Sequence, residues 1–200
     1  MLGEQNDVRP DRRQARRDAT RAEILAAAWD LAREQGLAGI SLRDLADRVG
    51  MRAPSLYQYF ASKGAIYDAM FKQGAEQALE IVSAPLPRST RAALREAAHR
   101  FFDFATSDRA RAQLLFERPL PDFEPTSEAY APAEKLIARL RAIFDEHGIT
   151  DPDAIDLWTA VVGGLVGAQN ANDPGGDRYG RLIDRAVDMY LATVKKKGTK

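Results

Sequence analysis

Apolar residues recur along this chain at helical rather than alternating intervals. Leu42, Leu45, Ala46 and Val49 stand at i, i+3, i+4 and i+7, the stripe that one face of a short α-helix buries. Ile24, Ala28 and Leu31, with Leu25 and Ala32 beside them, repeat the spacing upstream. No stretch sustains the alternation of Val, Ile or Thr that a half-buried strand requires. An all-α architecture is therefore expected.

Capping and breaking residues set the expected boundaries. Thr20 and Glu23 have the form of a capping box and open a first helix, which Gly36 ends. Ser41 caps a second helix, and Gly50 follows its last apolar residue in place for a left-handed turn. A third, short helix restarts near Pro54 and ends near Ala61. Ser62 then caps a fourth, from Lys63 towards Val82. Pro85 and Pro87 break the pattern, and further helices are predicted over 88–106, 108–116, 126–147, 151–171 and 177–196. Residues 1–19 carry Arg9, Arg12, Arg13, Arg16 and Arg17 without apolar periodicity, and read as a mobile basic arm able to track phosphates.

The short pair of helices around Gly50 matters most, because a helical hairpin of this size either packs quietly or reads DNA. The polar surface of its second helix favours DNA. Leu56 and Phe60, at i and i+4, point inward as a plug for a small core. Tyr57 and Tyr59 then lie outward, where a phenol can donate to a phosphate oxygen. Arg52, Ala53, Pro54 and Ser55 occupy the entry of the helix, the part that enters a major groove in this geometry. Arg43, near the capping Ser41, has the guanidinium that pairs with guanine O6 and N7. Lys63, beside the free N–H groups of the fourth helix, suits a phosphate.

These residues resemble the DNA-binding domain of the TetR family: Ser41-Leu-Arg-Asp-Leu-Ala46, Gly50-Met-Arg-Ala-Pro-Ser-Leu-Tyr-Gln-Tyr-Phe60 and Ser62-Lys63. The similarity covers about residues 20–68. Pro54 stands where many relatives have glycine and Met51 where valine is usual, and both fit the same backbone. The resemblance implies a basic arm over 1–19, a helix-turn-helix domain over 20–68, and a helical ligand-binding and dimerisation domain over 69–200. It implies a homodimer on double-stranded, palindromic operator DNA, since two symmetric recognition helices meet two half-sites.

In the second domain the residues speak less clearly. Asp156 to Gly167 is apolar nearly all round and includes Gly163, Gly164 and Gly167, which admit a close helix neighbour. Together with Leu182, Ile183, Val187, Tyr190, Leu191 and Val194 of the last helix it is assigned to the dimer interface, with packing inside one subunit as the alternative. Phe71, Phe101, Phe102, Phe104, Phe116 and Trp158, with Val162, are candidates to line a pocket for a small, apolar or aromatic effector. His99 and Asp103 are expected to pair at i, i+4, and Arg118 is a candidate contact for an anionic effector.

Composition removes competing chemistries. Lys plus Arg and Asp plus Glu number 29 each, for a formal charge of +0, so any DNA-binding surface must be local. No cysteine is present and the two histidines lie far apart, which leaves no thiolate or metal-ligand spacing. Asp151, Asp153 and Asp156 lack the glycine and distal glutamate of a calcium loop and read as acids at a helix start. No phosphate-cradling glycine loop or nucleophile elbow occurs. No enzyme activity, catalytic residue, metal or cofactor is expected. The apolar run from Ala160 to Ala168 is far short of the roughly 20 residues of a membrane span. The N-terminus shows no signal-peptide core, so a soluble, cytoplasmic chain without membrane partner is expected. The resulting expectation is a repressor released from its operator by a small molecule; a ligand-responsive activator and a DNA-independent helical carrier are the alternatives.

Overall fold

The computed structural model describes residues 12–194, and among them forms nine α-helices and two short 3₁₀ turns. The helices are α1 (Arg12–Gln35), α2 (Leu42–Arg48), α3 (Ala53–Leu56), α4 (Lys63–Ser83), α5 (Thr90–Ser107), α6 (Arg109–Phe116), α7 (Ser127–Glu146), α8 (Ala154–Asn172) and α9 (Ile183–Thr193). The chain divides into two compact units, with the boundary between Ile66 and Tyr67. That boundary falls inside α4.

Helix α1 begins eight residues before the expected capping box, so residues 12–19 are helix and not arm. Thr20 caps nothing; its hydroxyl donates to the Arg16 carbonyl at 3.0 Å, one turn back. The segment Arg12–Ala19 folds on propensity rather than burial, since Ala, Arg and Gln favour helix even when every side chain faces water. Gln14 supports the turn through Asp18 at 2.9 Å. Arg9 and the rest of 1–11 lie outside the described residues, as does the basic tail after Val194.

The core of the first unit is small and dry. Ile24, Ala28, Leu31 and Ala32 from α1 meet Leu37, Ile40, Leu45, Ala46, Leu56, Phe60 and Ile66, all nearly excluded from solvent. Ser41 accepts the Asp44 N–H at 3.0 Å and starts α2. Arg48 donates to both carboxylate oxygens of Glu34, at 2.8 and 2.6 Å, tying the end of α2 to α1. That fork holds the Glu34 carboxyl below its ordinary range.

The second unit is organised around α5, α8 and α9, with Ile143 and Phe144 of α7 closing one side. Phe144, Trp158 and Tyr190 form an aromatic triangle with ring centroids 5.3–6.2 Å apart. The Tyr190 hydroxyl donates to the Ala154 carbonyl at 3.0 Å, and burial pushes its ionisation up. Arg95 reaches Asp188 at 2.7 Å and Asp184 at 3.1 Å, bracing α5 against α9. His99 joins this strap through Asp184 at 2.9 Å rather than pairing with Asp103, because the facing helix presents a carboxylate to it. The turn Asp173-Pro-Gly-Gly-Asp177 is held from inside by the buried Gln169, which donates to Asp173 and accepts the Tyr179 N–H at 2.8 Å. Beyond it, Gly180–Leu182 forms a 3₁₀ turn, so the last α-helix starts at Ile183 and not near 177. Among the described residues no helix is long and apolar enough to cross a membrane.

Candidate functional site

In the first unit the reading surface is built by a turn that only glycine accommodates easily. Gly50 adopts φ 68°, in the left-handed region, and reverses the chain between α2 and α3. Met51 then donates its N–H to the Ala46 carbonyl at 2.9 Å and sits half-buried, which locks the turn onto α2. Arg52 precedes α3 in extended conformation, and Pro54 sits in the first turn, where no N–H partner is required. Regular α-helix stops at Leu56, earlier than the expected Ala61. The chain continues as tight turns in which Gln58 bonds to Ser55, and Tyr59 and Phe60 both bond to Leu56.

This geometry sorts the candidate residues by exposure. Leu56 and Phe60 are buried at 1% and 4%. Arg43, Arg52 and Pro54 are exposed, while Ser41, Ala53, Ser55 and Lys63 are half-buried. The two tyrosines differ: Tyr57 is 57% exposed, whereas Tyr59 is half-buried. Ser62 accepts the Ala65 N–H at 3.1 Å and starts α4 just beside Lys63.

Two arginines on α1, absent from the expected site, grip the far end of this surface. Arg17 donates to the Gln58 carbonyl at 3.0 Å. Arg21 donates to the Tyr59 carbonyl and lies over the Phe60 ring, 4.2 Å from its centroid. Carbonyls at the end of a helical turn gather partial negative charge, so cations are favoured there. Arg17 and Arg21 thereby position the segment that carries Tyr57 and Tyr59. Nothing in the local pattern marks them, since their partners lie about forty positions downstream.

The second unit holds an apolar cavity of about 370 Å³, partly open to solvent beside Phe116 and Ile137 and within the range of small-molecule sites. Val82 of α4, Ala97 and Phe101 of α5, Phe116 of α6 and Leu136, Ile137 and Leu140 of α7 line it from four helices. Trp158, Val162 and Val166 of α8 line it as well, together with Gly163 and Gly167. Of the aromatic candidates, Phe101, Phe116 and Trp158 thus meet with Val162 around one space. Phe102 is instead buried in the core. Phe71 stacks on Tyr130 at 5.9 Å beside a separate, proline-rich depression that also carries Arg118. Phe104 lies under the Arg111 guanidinium at 4.0 Å, in a third and shallower depression.

The glycines and the last helix are placed differently from expectation. Gly163 and Gly167 face the cavity, and only Gly164, exposed, lies on the opposite side of α8. Ile183, Val187, Tyr190 and Val194, assigned to an intersubunit face, are buried in the core of their own unit. The reason is periodicity: one stripe of α9 can serve one partner, and α5 and α8 take it. What remains outside is a second set, Leu157, Leu182 and Met189, exposed at 39%, 37% and 64%. Asp151, Asp153 and Asp156 stand at the start of α8, and no cluster of three metal-ligating side chains occurs among the described residues.

Comparison with known proteins points the same way as the geometry. Residues 24–70 match the family described as bacterial regulatory proteins, tetR family. The transcriptional activator FasR of Mycolicibacterium smegmatis is 34% identical over 103 residues, which is 50% of this chain but only 47% of that protein's length. The class A tetracycline repressor protein from transposon 1721 of Escherichia coli is 29% identical over 174 residues, covering 84% of this chain and 76% of that one. Among solved structures, the putative regulatory protein SCO4313 superposes with a TM-score of 0.73 at 21% identity, covering 91% of this chain and all of that one, a likeness of fold.

Proposed function

We propose that the chain, whose residues 24–70 match the TetR family and which shares the fold of its regulators, is a homodimeric DNA-binding repressor released from a palindromic operator by a small molecule. The observation that carries the reading is a pairing of surfaces on one chain. The first unit exposes Arg43, Arg52 and Tyr57 on a helix-turn-helix whose core is already filled. The second unit holds an apolar cavity of small-molecule size.

In this reading Arg43 and Arg52 address base edges, Tyr57 and Lys63 address phosphates, and Ser41, Ala53, Pro54, Ser55 and Tyr59 set how closely the backbone approaches. Phe101, Phe116, Trp158 and Val162 contact the effector. Helix α4 carries Lys63 at its start and Val82, a cavity wall, near its end. An effector that fits one position of α4 better than the other shifts the protein towards the form that fits DNA less well. The dimer forms through the outer faces of α8 and α9, where Leu157, Gly164, Leu182 and Met189 are exposed. Repression is favoured over activation because the resemblance to a named repressor extends over 84% of the chain, against 50% for the named activator.

Selection of bound DNA from a random pool tests the reading. Enrichment of a palindrome with two equal half-sites is expected, and a reporter carrying that sequence over its promoter should be silenced. Enrichment of no sequence would leave a ligand carrier. A reporter stimulated by the protein would make it an activator.

A further inference from the structure

The cavity of the second unit has a chemical bias beneath its apolar walls. Three residues of its lining carry polar side-chain groups: Glu117, Thr159 and Trp158, whose indole N–H is a donor. Thr159 donates its hydroxyl to the Ile155 carbonyl at 2.8 Å, so it offers the cavity only acceptor lone pairs. Glu117, the residue that follows α6, is in the lining and is exposed. Glu117 and Thr159 therefore accept, and the Trp158 indole is the one side-chain donor among the lining residues. No arginine, lysine or histidine of the described residues is in the lining. Arg100, next to Phe101, is engaged by Glu96 and by the carbonyls of Ala84 and Pro85. Arg118 lies in the wall of the separate proline-rich depression.

The aromatic residues add to the same bias. Phe101 and Phe116 lie 5.3 Å apart, tilted by 58°, with Phe116 still 46% exposed beside Glu117. Aromatic faces attract cations and give nothing to anions. A carboxylate next to such rings, with no basic residue in the same lining, repels an anionic ligand and pairs with a cationic one.

We infer that the effector is a cationic amphiphile, with an apolar body in the cavity and an ammonium-type head at Glu117 beside the Phe101–Phe116 pair. The inference rests on the cavity being the effector site, as proposed above. It adds a charge to the sequence-based expectation of a small apolar or aromatic effector.

The test is calorimetric titration of the full chain with decylammonium, decanol and decanoate, each below its micelle concentration. The expected order is ammonium, then alcohol, then carboxylate, with about tenfold between the first two, the size of one charge-assisted hydrogen bond. Glu117→Gln should lower the ammonium affinity to that of the alcohol. Gly163→Leu should abolish binding of all three, because a β-carbon at 163 meets no heavy atom within 4 Å and the new side chain grows into the cavity. The substitution also removes a helix-interior glycine, so folding should survive it. Decanoate binding as tightly as decylammonium, or a preference that persists in Glu117→Gln, would overturn the charge assignment and leave the cavity as effector site. Binding that persists in Gly163→Leu, or no binding by the unaltered protein, would overturn the cavity reading and this inference with it.

Discussion

The two units solve opposite problems with the same material. The first fills its core so completely that its functional groups have nowhere to go but out: Leu56 and Phe60 plug it at 1% and 4% exposure, and Tyr57 is left 57% exposed. The second leaves part of its interior unfilled. Around its cavity, α8 alternates Trp158 and Val162 with glycines at 163 and 167, whose β-carbons would meet open space. One unit works by what its side chains present, the other by where side chains are missing. Packing density near that of a crystal is the rule in protein interiors, and the exception is where the proposed effector would sit.

This contrast can be broken or sharpened by substitution. The largest effect is expected in the filled core. Leu56→Ala should cost about 2–5 kcal/mol of stability, since a fully packed side chain leaves a cavity behind. Chemical denaturation would show it, and loss of DNA binding with retained effector binding would show that the damage stays in one unit. Next comes Gly164→Leu, on the outer side of α8. It should weaken dimerisation by about 1–3 kcal/mol through overpacking, read by sedimentation, while Gly163→Leu one residue away leaves the dimer intact. Identical behaviour of the two would remove the distinction between cavity face and dimer face.

Smaller effects are expected on the reading surface. Arg52→Ala should relax base preference by about 1–3 kcal/mol at one position of each half-site, and competition against single-base variants of the selected operator measures this. Unchanged discrimination would return Arg52 to the solvated surface. Arg21→Met should cost about 1 kcal/mol of operator affinity by releasing the Tyr59 carbonyl. Faster hydrogen exchange at Tyr59 and Phe60 should accompany it, which a mere loss of charge near DNA would not produce.

Much of the first unit could be read directly from residues 41–63, because its pattern is local. A stripe such as Leu42, Leu45, Ala46 and Val49 needs no distant partner to be recognised, and Gly50 announces its turn. The Arg17 and Arg21 grips escaped for the converse reason: their acceptors are backbone carbonyls, which carry no residue signature. Residues 12–19 were read as an arm because an exposed helix has propensity but no stripe. In the second unit the helices were legible and their faces were not. Tyr190 and Val187 were as apolar as an interface requires, and only the packing of α5 and α8 shows that these side chains are already taken. Phe102 and Phe104 are equally buried but differ by about half a helical turn, and that rotation sends one ring into the α5–α8–α9 core and the other under the Arg111 guanidinium.

The central claim is that the cavity and the reading surface are coupled, and coupling is reciprocal by thermodynamic necessity. Titrating a cavity ligand such as decylammonium into the free protein and into its complex with the selected operator measures it directly. The ligand should bind the DNA complex more weakly, by roughly 5- to 150-fold, and operator affinity should fall by the same factor when the ligand saturates. Equal ligand affinity for the free and DNA-bound protein would contradict the account.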